Sequence, residues 1–420
     1  MFKDKSWYKY IIFIITALLY MLVYFHRVST NAIADDLMES ININATELGT
    51  ISSTYFIFYA IMQPFIGILT DKLGAKKVIS IFLGMAIIGS IAFGFVDGFW
   101  SAIISRSLIG LGVSGIFVPS LKLHAQWFSP ERFARVNGAF VGIGHSGALI
   151  ATTPLAYLAV TCGWREVFFL IAGLSAIMFL ITLLFLHNKE DDLAEEGIPI
   201  NKPLTGSREA IKTLMRMKNF WLLIVIFFAT FGAYMSFQGL WATKYLLCLK
   251  NLSIEAANTI IFFIPVGVIL GALAAGFLSD KLFKSRKKPL IFGLGLTLFS
   301  WVFITFFTPM FSETLLMFIF FMFGVGGGIL LPLIFIIIKD KIPSRVTGTA
   351  LGLINPAYFF GIFFYQIITG LILDVNSIKC QYTPESYYIM MLFCLITFVF
   401  TTILSFFIDE TFPKDGEFLK

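Results

Sequence analysis

Three basic residues sit deep in apolar surroundings. Arg27, Arg106 and Lys122 each fall inside a long apolar run, whereas all 25 Asp and Glu fall at the ends of such runs or between them. The acids nearest to an apolar run are Asp35, Asp36, Glu47 and Asp97. In a lipid setting each interior base costs roughly 2.5–3.5 kcal/mol, so such residues are kept for function or held by specific partners. Positive charge with no interior acid suits capture of an anion. A guanidinium fork meets a carboxylate or phosphate in two parallel hydrogen bonds.

Arg27 and Arg106 fall at similar depth, Arg27 about 24 Å along the first run at 1.5 Å per residue. They are expected to converge as anion anchors, with bracing of backbone carbonyls as the other reading of Arg106. Lys122 follows Arg106 by 16 residues, about 160° around an ideal helix, so it faces away from Arg106. A kink from Pro119 with Gly112 and Gly115 would change that phase. His26 adjoins Arg27, Tyr24 lies one turn before it, and His145 is near the middle of the fifth run. Each is a candidate substrate contact, and His145 a candidate proton carrier, set against a hydrogen-bonded structural histidine. His124 lies nearer a run end. In the second half of the chain Tyr234, Gln238 and Trp241 recur at i, i+4 and i+7 on one helix face, which fits a substrate cavity or a packing stripe equally. Asn355, followed by Pro356, is a further candidate.

Other chemistries find no residues. Cys162, Cys248, Cys380 and Cys394 lack metal-ligand spacing. Cys248 and Cys380 could pair, with free thiols the simpler reading. No nucleophile–base set is apparent, so neither an enzyme nor a cofactor is expected.

These residues need long helices to hold them. Hydrophobic residues make up 58% of the 420-residue chain and charged residues 13%, about half the charged share of a soluble domain. Twelve apolar runs are long enough to cross a bilayer as helices: 9–33, 48–70, 78–96, 100–127, 133–160, 166–187, 219–246, 255–279, 289–308, 314–338, 346–373 and 386–408. None shows the period-two alternation of a barrel strand. The first run lacks a small-residue cleavage site and is expected to remain as an anchor.

Charge sets the expected orientation. Of the 31 Lys and Arg, 24 fall in the termini and alternate loops on one side. The opposite loops hold only Arg165, Lys250 and Lys379. By the positive-inside rule both termini are cytoplasmic. The net charge of +6 reflects this bias and implies no nucleic-acid partner.

A repeat organises the runs. Gly67 and Asp71 recur as Gly276 and Asp280, offset by 209, and RVNGAFVG (135–142) recurs as RVTGTALG (345–352), offset by 210. The second offset pairs His145 with Asn355. The expected organisation is an all-α membrane protein of two six-helix halves: 1–187, a charged cytoplasmic linker 188–218, and 219–420. Small residues at i, i+4 (Gly138/Gly142, Gly267/Gly271, Gly348/Gly352) are expected to let helices pack closely.

The pattern Gly67-x-x-x-Asp71-Lys72-x-Gly74-x-Lys76-Lys77, with its degenerate copy around Asp280 and Arg286, resembles the signature loop of the major facilitator superfamily. The likeness covers the whole chain. The stretches YFHRVSTNAIADDL (24–37), RSLIGLGVSGIFVPSLKLHAQWFSPER (106–132) and GHSGALIATTPLAYLAVTCGWREVFF (144–169) resemble its anion:cation symporter and organophosphate-exchanger branches. The resemblance implies Arg27 as the substrate arginine of the first helix and Arg106 at the head of an Arg-x-x-x-Gly pattern. It also implies the 67–77 loop as a cytoplasmic latch, stronger than its copy because Phe283 stands where Gly74 does. Proton-coupled members often carry Asp before that first arginine. This chain has His26, so carboxylate-based proton coupling is not implied.

The expectation is a monomeric secondary transporter of the plasma membrane, a bacterial inner membrane. Its partners would be the lipid bilayer, a small organic anion or zwitterion, and a proton or other coupling ion. The alternatives are an exporter of amphipathic drugs or siderophores, and a non-transporting sensor with a transporter fold.

Overall fold

The computed structural model describes residues 7–188, 215–340, 347–377 and 382–412, without the side chains of residues 130, 131, 133–135, 339 and 347–353. Most of the expected linker and Cys380 lie outside the described residues. So do the side chains of the RVTGTALG repeat except its first residues, which are undescribed altogether.

Every regular element among the described residues is helical. Twelve helices are long and apolar enough to span a membrane. They are α1 (Tyr8–Ala32), α2 (Ala45–Leu73), α3 (Ala75–Gly94), α4 (Phe99–Trp127), α5 (Val136–Cys162) and α6 (Trp164–Phe185). Then follow α7 (Lys218–Lys250), α8 (Ile254–Leu282), α9 (Lys287–Met310), α10 (Glu313–Ile338), α11 (Ile354–Val375) and α12 (Pro384–Ser405). Each Asp or Glu within a span lies in its first or last turn.

The chain divides into two compact units, Met1–Ile43 with Thr50–Pro203, and Asn44–Gly49 with Leu204–Lys420. In the first, α1 packs on α5, and α3 on α4 and α6. In the second, α7 packs on α11, and α9 on α10 and α12. Each pairing recurs six helices later, as expected of a tandem repeat.

The small-residue pairs divide. A Cβ on Gly267 or Gly271 would come within 2.2 Å of the carbonyl oxygens of Phe321 and Val325 on α10. From the other side, a Cβ on Gly324 or Gly328 would meet those of Ile264 and Val268 at 2.1 and 2.2 Å. Only hydrogen fits at this crossing, so α8 and α10 touch backbone to backbone. A Cβ on Gly138 or Gly142 would meet nothing within 4 Å, so this pair does not serve a close crossing here.

Five local features escaped the apolar pattern. A short helix, Ala34–Ile41, follows α1 with Asp35 and Asp36 in its first turn. The helical hydrogen bonding of α4 breaks at Gly115–Ile116, just before Pro119. Two π-helical stretches interrupt α7 at Phe237–Trp241 and end α8 at Leu278–Leu282. The start of α2 is doubly capped. Asn44 and Glu47 exchange backbone-to-side-chain bonds of 2.9 and 2.8 Å, a capping box. Asp374, in the same unit, accepts the Ala45 and Thr46 N–H groups at 3.0 and 2.6 Å.

Candidate functional site

In the first unit α1 places Tyr20, Tyr24 and Arg27 at i, i+4 and i+7, and α2 adds Tyr55 and Tyr59 at i, i+4. The Arg27 guanidinium lies 4.5 Å from the Tyr24 ring centre and 5.2 Å from that of Tyr59. The cation therefore rests against two electron-rich faces, a favourable arrangement at low dielectric. His145, on α5, brings its ring to 4.0 Å from Tyr24 while its Nδ1 bonds the Val141 carbonyl at 2.8 Å. Tyr55 fixes the wall by donating to the Val23 carbonyl at 3.0 Å. The structure thus brings Arg27, Tyr24 and His145 together. Sequence reasoning missed Tyr20, Tyr55 and Tyr59, although their helical spacing was a usable signal.

Arg106 takes another place. It is fully buried, at 0% exposure. Its Nη2 donates to the His26 carbonyl at 2.7 Å, and the guanidinium lies 5.2 Å from the Tyr55 ring and 5.9 Å from Phe93. Arg27 faces the Tyr24 and Tyr59 rings and Arg106 the Tyr55 ring, and Arg106 ties α4 to the α1 backbone. The ring of His26 packs near Phe25 and Phe168, in an apolar setting. His124 bonds Thr16 Oγ1 at 2.9 Å and Asn137 Oδ1 at 2.8 Å, a buried link between α1, α4 and α5.

Lys122 differs from its expected role. Its Nζ lies 3.0 Å from Asp71 Oδ1 and 3.4 Å from the Thr70 carbonyl, at the end of α2. Lys122 thus serves the 67–77 loop, on the side away from Arg106 that an ideal helix implies.

That loop is held tightly at one point. Gly74 has φ +83°, and a Cβ there would lie 2.5 Å from Asn188 Nδ2. Both the backbone angle and the space demand glycine. Asn188 Oδ1 in turn accepts the Lys76 N–H at 3.0 Å, at the start of α3. Lys72 and Lys77 are exposed. A Cβ on Gly67 would meet nothing within 4 Å, so no close approach occurs there.

The second copy follows the same plan with more charge. Lys284, offset by 210 from Gly74, has φ 44°. The left-handed turn persists without the glycine, one residue past Phe283. Arg286 pairs with Asp280, with Asp340 at 2.9 Å and with Ser279 Oγ at 2.7 Å. Burial works against its charge, but the two carboxylates and their hydrogen bonds raise its pKa. Glu410 caps the start of α9 as Asn188 caps that of α3. It accepts the Arg286 N–H at 2.8 Å and those of Thr411 and Phe412 at 2.9 and 3.0 Å. Burial raises the Glu410 pKa, but the bonds from Ser285 Oγ and these N–H groups outweigh it and hold the carboxyl below its usual range. Among the described residues the Asp280–Arg286 copy therefore carries the larger ionic cluster, the reverse of what the intact glycine suggested.

In the second unit Tyr234, Gln238 and Trp241 are all buried, at 1%, 2% and 0% exposure. Tyr234 stacks on Phe323 with ring centres 4.4 Å apart. Trp241 Nε1 donates to Thr369 Oγ1 at 2.9 Å. Because Phe237–Trp241 is π-helical, its wider turn shifts the phase that an unbroken α-helix would give this trio. Asn355 is half-buried.

The sequence model of the Major Facilitator Superfamily matches residues 16–365 and 226–418. The chain is 26% identical over 390 residues to the phosphoglycerate transporter protein of Salmonella typhimurium, covering 84% of this chain and 81% of that protein. It is 27% identical over 270 residues to the hexuronate transporter of Bacillus subtilis, covering 63% of each. Among solved structures it is similar to a bacterial homologue of the human lysosomal transporter Spinster, in an inward-facing, unoccupied conformation. That match has a TM-score of 0.79 at 17% identity, over 96% of this chain and 97% of that one.

Proposed function

This chain belongs to the Major Facilitator Superfamily, and from that premise we propose that it moves a small organic anion or zwitterion across the plasma membrane by alternating access. One observation carries the reading. Arg27 lies deep in α1 at 4% exposure, walled by Tyr24 and Tyr59. No span carries an acid beyond its terminal turns. A site built on a fixed cation within an acid-free interior favours a carboxylate or phosphate over a cationic solute. The relatives named for phosphoglycerate and hexuronate transport point to the same class.

In this reading Arg27 anchors the anion. Tyr24, whose ring faces His145, orients it, and Arg106 fixes the helices around the anchor. The 67–77 loop and the Asp280–Arg286 cluster lie at the cytoplasmic face, with both termini, and act as gating elements. The partly exposed Lys122–Asp71 pair is of the kind worth only about 0–1 kcal/mol, which suits a contact that must form and release in each cycle.

The test is an uptake screen with the purified protein in liposomes, across carboxylates, sugar phosphates, amino acids and short peptides, with and without a pH gradient. Accumulation of one or more organic anions is the expected result. Transport of cationic amphiphiles alone would overturn the reading. Stimulation by an inward proton gradient would identify the coupling ion.

A further inference from the structure

Arg106 is a buried charge with only part of its hydrogen bonding met. It lies at 0% exposure, and its Nη2 donates to the His26 carbonyl at 2.7 Å. Its Nε and Nη1 are buried and have no acceptor among the described residues. No carboxylate pairs with it there either, and the spans carry acids only in their terminal turns. Buried cations are ordinarily paired and buried N–H groups ordinarily bonded. This guanidinium therefore calls for an acceptor that brings negative charge.

Further polar atoms without partners lie in the same part of the first unit. The guanidinium is 5.2 Å from the Tyr55 ring and 5.9 Å from that of Phe93. Phe93 in turn lies 4.5 Å from Phe168, and Phe168 lies 6.4 Å from the His26 ring, between ring centres. His26 Nδ1 is buried and has no partner. Ser52 comes to the same level from α2. A Cβ on Gly110 would fall 2.3 Å from the Tyr55 carbonyl oxygen, and Gln63 Nε2 lies 3.5 Å from that of Ser114. The helices α2 and α4 thus run side by side in the same sense. Arg106 stands one turn before Gly110, and Ser52 about one turn before Tyr55. Ser52 Oγ, in a residue at 0% exposure, likewise has no partner.

The chemistry of this set points one way. A guanidinium only donates, and a serine hydroxyl and one imidazole nitrogen can each donate as well. The nearby aromatic rings have positive edges, which tolerate an anion. One fixed positive charge balances one negative charge. A multiply charged phosphate would exceed it and cost more to take out of water. We propose that Arg106, with Ser52 and His26, binds a small inorganic anion of single charge, with chloride as the type. The ion is a resident counter-charge that links α1, α2 and α4 within the first unit. The inference stands apart from the organic-anion reading, which places the transported solute at Arg27.

The test is the melting temperature of the purified protein in sodium gluconate, titrated with sodium chloride at constant ionic strength. Wild type is expected to show a saturable rise of about 3 °C or more, and bromide, of the same charge and similar size, should reproduce it. Arg106→Gln should abolish the rise, whereas Arg27→Gln should keep it. Equal melting temperatures for wild type in chloride and in gluconate would overturn the inference. A full rise in Arg106→Gln, or its loss in Arg27→Gln, would place the ion elsewhere and overturn it too. Should Arg106→Gln not fold, Ser52→Ala supplies the comparison. It removes one hydrogen bond to a charged ligand, so the half-saturating chloride concentration should rise about tenfold. An unchanged value would contradict the site.

Discussion

At the scale of single residues, Arg27 stands apart because its side chain is held by aromatic faces on two helices. A cation against a desolvated ring gains about 2 kcal/mol or more, so the wall contributes to holding the anchor in place. Tyr24→Ala should raise the apparent KM for the transported anion roughly tenfold, whereas Tyr24→Phe, which keeps the ring, should stay within about threefold. Uptake kinetics in liposomes check both. Arg27, Tyr24 and His145 were legible as residue types in improbable places. The division of labour between Arg27 and Arg106 was not, because depth along a helix says nothing of the face a side chain takes. The Arg106 bond to the His26 carbonyl depends on how α4 packs against α1. Lys122, a candidate anion contact by its depth in the sequence, pairs instead with Asp71, on the side away from Arg106 that the ideal helix phase implied.

At the scale of elements, the helices were legible to within a few residues at their ends, since an apolar run of bilayer length has few other solutions. Of their irregularities, the α4 break beside Gly115 and Pro119 was signalled, whereas the π turns were not. Nothing in FQGLW or LSDKL marks a π turn, which forms where neighbouring helices demand it. The α8–α10 crossing was half visible, in Gly267 and Gly271. Replacing Gly271 by Leu would force its side chain into the Val325 carbonyl. Overpacking of this kind costs about 1–3 kcal/mol, so the variant should show a lower melting temperature and poorer monodispersity in size-exclusion chromatography. The α9 start makes a pH prediction. The Glu410 carboxyl is held below its ordinary value of 4.5 in the folded protein. Its stabilising contribution is therefore fully present above that value and is lost as pH falls through the depressed one. Glu410→Gln should lower the melting temperature at pH 7, and the gap from wild type should narrow progressively below about pH 4.5. A gap that is constant from pH 7 to pH 3.5 would contradict the charged cap.

At the scale of the whole molecule, the repeat offset and the recurrence of helix pairings six helices later describe one plan used twice. Charge is distributed unequally over that plan. The interior arginines fall in α1 and α4, while α7 and α11 carry the neutral amides Gln238 and Gln366. The loop bias in Lys and Arg predicts that reporter fusions at either terminus will be active only as cytoplasmic reporters; a periplasmic readout at one end would break the six-plus-six arrangement. What sequence could not supply was the arrangement of the aromatic wall, because Tyr20, Tyr55 and Tyr59 acquire their meaning only when α1 and α2 are set side by side. The most direct measurement is uptake of the best-transported organic anion by Arg27→Ala in liposomes, at matched protein incorporation. Loss of about 100-fold or more, with the variant folded and monodisperse, is the predicted result. Uptake at the wild-type rate and KM would contradict the anchor and, with it, the proposal that this chain selects its substrate by negative charge.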